Sequence, residues 1–352
     1  VRFLDSLRSL ETTLRFIARV TRATRLCAAR ATLSLVQRNA GNERILRGVR
    51  IMLRSMRVAL VAVVLSTVSV AGASTREVVR LKGTERSYLL YVPSGLKTPA
   101  PILVALHGGG SNAAAMERYS RLSETADAKG FIAVYPEGVG RVEGIHTWNA
   151  GSCCAYAQRT GSDDVTFILA VIDDVVRHHG GDASRVLVTG MSNGAMMAYR
   201  FAAQEPAKVS AVAAVAGSLE IDPSEILAPV PVIHFHGTED EHVPVKGGRG
   251  PKTLGLHSFS SLDDTVGAWI SANKASPIPK LVPVADLADD GMGTLRQEYE
   301  APSTNAPVVV YLISGGGHTW PGSTPAERRL GPSTRDFDAN EVMWEFFLKV
   351  KK

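Results

Sequence analysis

The chain has 352 residues, 45% apolar and 21% charged, with 32 Gly and 18 Pro. That composition excludes collagen-like, coiled-coil and wholly disordered classes, and three cysteines exclude both a disulfide-rich scaffold and a structural zinc framework. The net charge of +5 is unevenly spread: residues 1–73 carry 13 Arg against the three acids Asp5, Glu11 and Glu43, and the remainder carries 26 basic against 31 acidic side chains, so the rest of the chain offers no electrostatic footprint for nucleic acid or anionic lipid.

Residues 1–51 are Arg-rich and precede two candidate starts, Met52 and Met56. They are expected to be a non-native extension, or alternatively an amphipathic basic leader. From Met52 a short basic head leads into the uncharged run Val58–Val70 and then Ala71-Gly72-Ala73. This is the pattern of a secretory signal peptide over residues 52–73, with cleavage after Ala73. Thirteen uncharged residues are few for a helix that must cross ~30 Å of hydrocarbon. The remaining 279 residues, Ser74–Lys352, suit one α/β domain. They keep two cysteines, the adjacent Cys153 and Cys154. In an exported protein a vicinal disulfide, two thiols or an intermolecular bridge all remain open.

Ser87–Val92 reads as a strand, and Pro101–Leu106 (PILVAL) as a central strand buried on both faces. Met116–Lys129 has helical spacing and stops at Gly130; Phe131–Tyr135 is again a buried strand. Asp163–His178 is a helix with Ser162 as its N-cap, acids at its positive end and Arg177–His179 at its negative end. Arg185–Thr189 is a strand and Gly194–Gln204 a helix. Strands follow at Ser210–Ala216 and Val230–Phe235, a helix at Leu262–Asn273, a strand at Val308–Ile313 and a last helix at Asn340–Lys349. Gly247–Leu256 and Ala285–Gly293 read as surface loops, the second at the tip of a hairpin. Alternating apolar strands and helices imply an α/β fold, with a mostly parallel sheet covered by helices on both faces.

The sharpest chemical signal is Gly190-Met191-Ser192-Asn193-Gly194 between an apolar strand and a helix. A bare G-x-S-x-G arises by chance in about one chain in ten of this length; its context is what counts. A strand that turns abruptly into a helix at Ser192 exposes the hydroxyl, and glycines two residues to either side remove side chains that would clash. A lone serine is a poor nucleophile and needs a base, which in turn needs an orienting acid. On such a fold both follow the serine in the chain. Asp240 lies beyond the carboxyl end of strand Val230–Phe235, with Glu239 and Glu241 as local rivals. For the base, His318 follows three glycines at the end of the last strand, whereas His234 and His236 read as bracing residues. His242 stands too near Asp240 for an easy relay, and His257 has no strand before it. After PILVAL comes His107-Gly108-Gly109-Gly110. Such a loop supplies a backbone N–H from Gly109 or Gly108, and Asn193 supplies a second, to the oxygen on which acyl transfer builds negative charge.

The motifs HGGGSN, WNAGSCC followed by DDVTF, GMSNGAMMAY, HGTEDEHVP and GGGHTWPG stand in this order over roughly residues 78–348. Together they resemble the secreted serine esterases grouped with polyhydroxybutyrate depolymerases and feruloyl or acetylxylan esterases. The resemblance implies an α/β-hydrolase fold and favours Asp240 over Glu239, because the family pattern HGTxDxxVP puts its acid there. Val245 stands where the family often has an aromatic, a departure at the substrate rim. Family members that degrade solid polymer often carry an extra binding domain, and this chain ends right after its last helix, which is an expectation against solid-polymer activity. Trp148, Trp320 and Met191 are the candidate substrate-binding side chains, with loop packing the alternative for the tryptophans.

The expected protein is a secreted or periplasmic serine esterase, a monomer. It forms an acyl-enzyme on Ser192 with His318 and Asp240, and requires no cofactor or metal. Its substrate is a small-molecule or polymeric ester (hydroxyalkanoate oligomers, feruloyl or acetyl esters), with no nucleic-acid partner and no membrane association once the signal is removed. An inactive hydrolase-fold binding module is the contrasting reading, disfavoured because every candidate residue is present. A peptidase or lactonase on the same fold is a third.

Overall fold

The computed structural model describes residues 72–350 apart from 254 and 324–327. The expected extension over 1–51 and all but the last two residues of the expected signal segment therefore lie outside the described residues. Twelve strands are described: β1 (Thr75–Leu81), β2 (Thr84–Tyr91), β3 (Ala100–Leu106), β4 (Ile132–Pro136), β5 (Val139–Val142), β6 (Ile145–Thr147), β7 (Gly181–Met191), β8 (Ala211–Val215), β9 (Val232–Gly237), β10 (Lys280–Pro283), β11 (Gly293–Tyr299) and β12 (Val308–Ser314). The helices are α1 (Ala113–Ser120), α2 (Leu122–Lys129), α3 (Ala155–Arg159), α4 (Asp164–His178), α5 (Asn193–Gln204), α6 (Leu262–Asn273) and α7 (Ala339–Lys349).

Ten strands form one sheet in the order β1-β2-β4-β3-β7-β8-β9-β12-β11-β10, and β5 and β6 pair as a separate hairpin. The six central strands, β4 to β12 in that order, run parallel; β1–β2 and β10–β11 are antiparallel additions at the two edges. The expected mostly parallel sheet with helices on both faces is therefore observed. The continuous apolar runs are the reason. In β3, Ile102, Val104 and Leu106 face α4, α5 and α6, whereas Leu103 and Ala105 face α1, α2 and α7. A strand buried on both faces must be apolar at every position, and each such buried aliphatic side chain contributes about 1.5–3 kcal/mol.

Two local differences from the sequence reading have plain causes. The helix expected over Met116–Lys129 is two helices, because Arg121 adopts the left-handed conformation (φ 56°) and ends α1. No Gly or Pro marks that break. The N-cap of α4 is Asp163 rather than Ser162; its carboxylate accepts the Thr166 N–H, and this frees Asp164 for a buried ion pair with Arg86 at 2.6 Å. The loop 284–292 does tip a hairpin, between β10 and β11. Among the described residues no helix is long and apolar enough to cross a membrane.

Candidate active site

The carboxyl ends of β3, β7, β9 and β12 lead into the segments that carry Gly108–Gly109, Ser192, Asp240 and His318. β7 runs straight into α5 through Ser192, whose backbone sits at φ 56°, ψ −127°. For a residue with a Cβ this conformation costs on the order of 1–3 kcal/mol and persists only where its surroundings enforce it. They do so here: Ser192 N–H donates to Val215 O (2.8 Å) and Ser192 O accepts Met196 N–H (3.0 Å). The flanking glycines are sterically required. A Cβ on Gly190 would run into the backbone of Gly194, and one on Gly194 into the carbonyls of Leu106 and His107.

The loop after β3 lies along this turn. A Cβ built on Gly108 would stand 3.6 Å from Ser192 Cβ, and one on Gly109 3.5 Å from Asn193 Cβ. These are ordinary contacts, so the glycines avoid no clash; they leave open the space beside the serine. Asn193 opens α5, where the first N–H groups of a helix have no intrahelical acceptor. Among the described residues, neither the Gly109 nor the Asn193 N–H is engaged in a backbone hydrogen bond. The Asn193 side chain points elsewhere, accepting Trp148 N–H at Oδ1 (2.7 Å) and donating from Nδ2 to Trp148 O (3.0 Å).

Beyond β9, Asp240 is buried and bonded on both carboxylate oxygens. Oδ1 accepts the N–H groups of His242 and Val243, both at 2.8 Å, and Oδ2 accepts His318 Nδ1–H at 2.7 Å. Burial alone would push this carboxyl up, but the facing His318 charge and the hydrogen bonds from His236 and His318 outweigh it and hold Asp240 well below the usual carboxylate range. The rivals face solvent: Glu239 is exposed and Glu241 pairs with Lys252. His318 is buried, its N–H donating to Leu330 O at 2.7 Å and its ring packed on that of His242 at 4.8 Å. Asp240 and His318 are thus brought into direct contact, and Gly108–Gly109 against Ser192. No hydrogen bond from Ser192 Oγ is present among the described residues.

His234 and His236 do brace the acid loop. The Val243 carbonyl can only accept, so His236 Nε2 donates to it (2.8 Å) and its Nδ1 accepts from His234 Nε2 (2.9 Å). His234 Nδ1 in turn accepts the Tyr199 hydroxyl (2.7 Å). Burial drives the His234 ring well below the ordinary histidine range, so it stays neutral.

Of the two readings of the tryptophans, cleft wall and loop packing, their burial favours the second. Trp148 is fully buried and donates its indole N–H to His107 O (2.9 Å); Trp320 is fully buried and donates to Asn340 Oδ1 (2.9 Å). Burial and the indole hydrogen bond fit a packing role for both, since a buried indole usually places its N–H on an acceptor. Met191 is buried as well, and Val245 packs against the core. Cys153 and Cys154 form a disulfide with each other in the loop after Trp148. Two buried acids carry ties that the sequence reading did not give them. Asp164 accepts Asn149 N–H (2.7 Å). Glu220, beyond β8, accepts from Ser152 Oγ (2.6 Å), Ser218 Oγ (2.7 Å) and His257 Nε2 (2.6 Å), and so ties the disulfide loop to the 257–260 segment. The rule that finds Asp240, an acid just past a parallel strand, would have found Glu220 too.

A family model described as Esterase PHB depolymerase matches residues 86–239. NocK of Nocardia uniformis subsp. tsuyamanensis, a protein named as an esterase, is 33% identical over 299 residues, 79% of this chain and 84% of its own length. Feruloyl esterase B of Neurospora crassa is 36% identical over 127 residues, 36% of this chain and 42% of its own length, so the chain spans under half of that relative. Among solved structures, an acetyl xylan esterase from Aspergillus awamori superposes with a TM-score of 0.55 at 18% identity, covering 78% of this chain and 99% of that one. At that identity the superposition speaks for the fold, which is that of the α/β-hydrolases. The chain belongs to the Esterase PHB depolymerase family and is a carboxylic ester hydrolase.

Proposed function

We propose that the chain is a secreted serine esterase that works through an acyl-enzyme. Ser192 attacks the ester carbonyl while His318 takes the hydroxyl proton and returns it to the leaving alcohol. Asp240 holds the imidazole by Nδ1 and stabilises its charged form. The N–H groups of Asn193 and of Gly109, with Gly108 beside it, receive the developing oxyanion; one such donor is worth about 3 kcal/mol. Water then resolves the acyl-enzyme by the same route in reverse.

The observation that carries this reading is the buried 2.7 Å His318–Asp240 bond on the rim where Ser192 is held at positive φ beside a glycine loop. Ser192→Ala is expected to lower turnover of p-nitrophenyl acetate by about 10⁴-fold or more with an unchanged melting curve; retained turnover overturns the assignment. The substrates proposed are feruloyl or acetyl esters of polysaccharides and hydroxyalkanoate oligomers, in keeping with the relatives' names. A kcat/KM panel of methyl ferulate, acetylated xylan and hydroxybutyrate oligomers separates them. Secretion rests on the residue pattern over 52–73, and N-terminal sequencing of exported protein is expected to begin at Ser74.

A further inference from the structure

β4 ends beside β3, and the residue just past its carboxyl end is Glu137. Its backbone is fixed on both sides: the N–H donates to Ser87 O and the carbonyl accepts from Arg86, both at 3.0 Å. Its side chain turns toward the glycine loop His107–Asn112. Oε1 accepts the N–H of Ala113, the first residue of α1, at 3.0 Å, and so holds the far end of the loop. The same oxygen accepts His146 Nδ1–H at 2.8 Å. The backbone of His146 holds the middle of the loop, donating to Ser111 O (2.9 Å) and accepting from Gly110 N–H (2.8 Å). At the near end, His107 Nδ1 donates to Gly108 O (2.8 Å), while its Nε2 accepts the Gly138 N–H (3.0 Å) and lies 3.6 Å from Glu137 Oε1. One carboxylate and its neighbouring peptide therefore reach the start, middle and end of a loop rich in glycine.

The ring nitrogens and carboxylate oxygen of His107, Glu137 and His146 lie within 4.8 Å of one another, a spacing that could hold a metal ion. The donors argue otherwise. The His107 Nε2 lone pair already accepts an amide proton, and Glu137 Oε1 already has two N–H donors. A cluster satisfied within the protein is a brace.

We propose that Glu137 is a positioning residue for ester hydrolysis: it touches no substrate, and it aims the Gly108–Gly109 peptide N–H groups at the site where the oxyanion forms. This rests on the role given above to that loop. Glycine peptides rotate with little steric resistance, and a donor lowers the barrier only when it is already aimed at the position the charge will occupy. Charge-assisted hydrogen bonds from a fixed carboxylate supply that aim.

The test compares wild type, Glu137→Ala and Glu137→Gln on p-nitrophenyl acetate, with rates expressed per site titrated by a fluorophosphonate, alongside inhibition by phenylboronic acid; Ser192→Ala, which has no serine to titrate, is assayed per mole of protein. Glu137→Ala is expected to lower per-site kcat about 10- to 100-fold, with KM within about twofold and boronate affinity falling in step with kcat/KM. Glu137→Gln keeps an acceptor oxygen for both donors and is expected to recover to within about fivefold. Should Glu137→Ala not fold, His146→Ala, which removes one of the two donors, is expected to show the same kcat loss on a smaller scale. Wild-type per-site kcat, or a kcat loss without loss of boronate affinity, overturns the proposal, because a merely structural residue changes the number of working sites and not their rate. Activity surviving in Ser192→Ala instead overturns the reading of the site on which the proposal stands.

Discussion

The two halves of the site are built differently. On the acid–base side, the loops after β9 and β12 are tied to each other and to the following segment by peptides, Thr238 N–H to Ile313 O, Glu239 N–H to Gly316 O, Gly317 N–H to Pro332 O and His318 N–H to Leu330 O, with Asp240, Thr238 and His236 side chains added from the same strand and loop. On the oxyanion side, side chains from distant segments share the tying with the His146 peptide: Trp148 reaches His107 O, Asn193 holds Trp148, and Glu137 holds both Ala113 N–H and the His146 ring. Neighbouring strands can hold a loop through the backbone with almost any sequence. A loop of glycines has no side chains of its own to anchor and must borrow them. The first arrangement is rigid by topology and the second by chemistry, so substitutions should affect the two halves in different ways.

The largest effect is expected at Asp240. Asp240→Asn keeps the volume and the acceptor for His242 and Val243 but presents the wrong partner to His318 Nδ1. A kcat fall of about 10⁴-fold with a nearly unchanged melting temperature is expected. A small kinetic effect would break the assignment of this half. The next effect is one of pH. Burial lowers the His107 pKa from 6.5 to about 4, so between those values the unfolded chain binds a proton that the folded chain does not. The stability contribution is therefore complete above about pH 6.5 and lost as pH falls toward 4, at most about 3 kcal/mol over the window. Denaturant titrations from pH 4 to 7 should show a shallower slope for His107→Gln than for wild type. Equal slopes would mean that other groups carry the dependence, for which buried His234 is the first candidate because its shift has the same sign. Asn193→Ala comes third. It keeps the backbone N–H but strands the Trp148 N–H, whose carbonyl still accepts the Cys154 N–H; this costs about 2 kcal/mol of stability, with a kcat loss that the matching change at a rim residue would not give.

The same division explains what the sequence revealed. Apolar runs such as PILVAL and FIAVY must be strands buried on both faces, and α6 has the expected bounds, Leu262–Asn273. Ser192, Asp240 and His318 could be proposed from sequence because strand ends in a parallel sheet converge on one rim whatever the intervening loops do, with the family pattern favouring Asp240 over Glu239. The break at Arg121 could not, since neither Gly nor Pro announces it, and β1 could not, since as an edge strand with alternating exposed charge it lacks an apolar run. The roles of Trp148 and Trp320 were illegible for a deeper reason. Their indole N–H acceptors, His107 O and Asn340 Oδ1, lie 41 and 20 residues away in sequence. An aromatic beside a catalytic motif reads the same whether it lines a cleft or holds one up. Glu137 was missed although it obeys the rule that located Asp240, because a carboxylate that acts on a loop has no motif of its own.

The smallest expected effect sharpens the comparison furthest. Glu239 stands one residue from Asp240, yet its side chain is exposed and only its peptide N–H is engaged, with Gly316 O at 2.9 Å. If the acid–base loops are held by backbone and only the inward carboxylate does chemistry, Glu239→Gln must leave kcat within about twofold and stability within about 0.5 kcal/mol, as for an ordinary surface change. Stopped assays and thermal melts of Glu239→Gln beside Asp240→Asn test this directly, since the two changes remove the same charge one residue apart. A tenfold fall at Glu239 would show that the acidic turn acts through its summed field rather than through one hydrogen-bonded carboxylate, and the backbone-held half of the site would then depend on its side chains as much as the other half does.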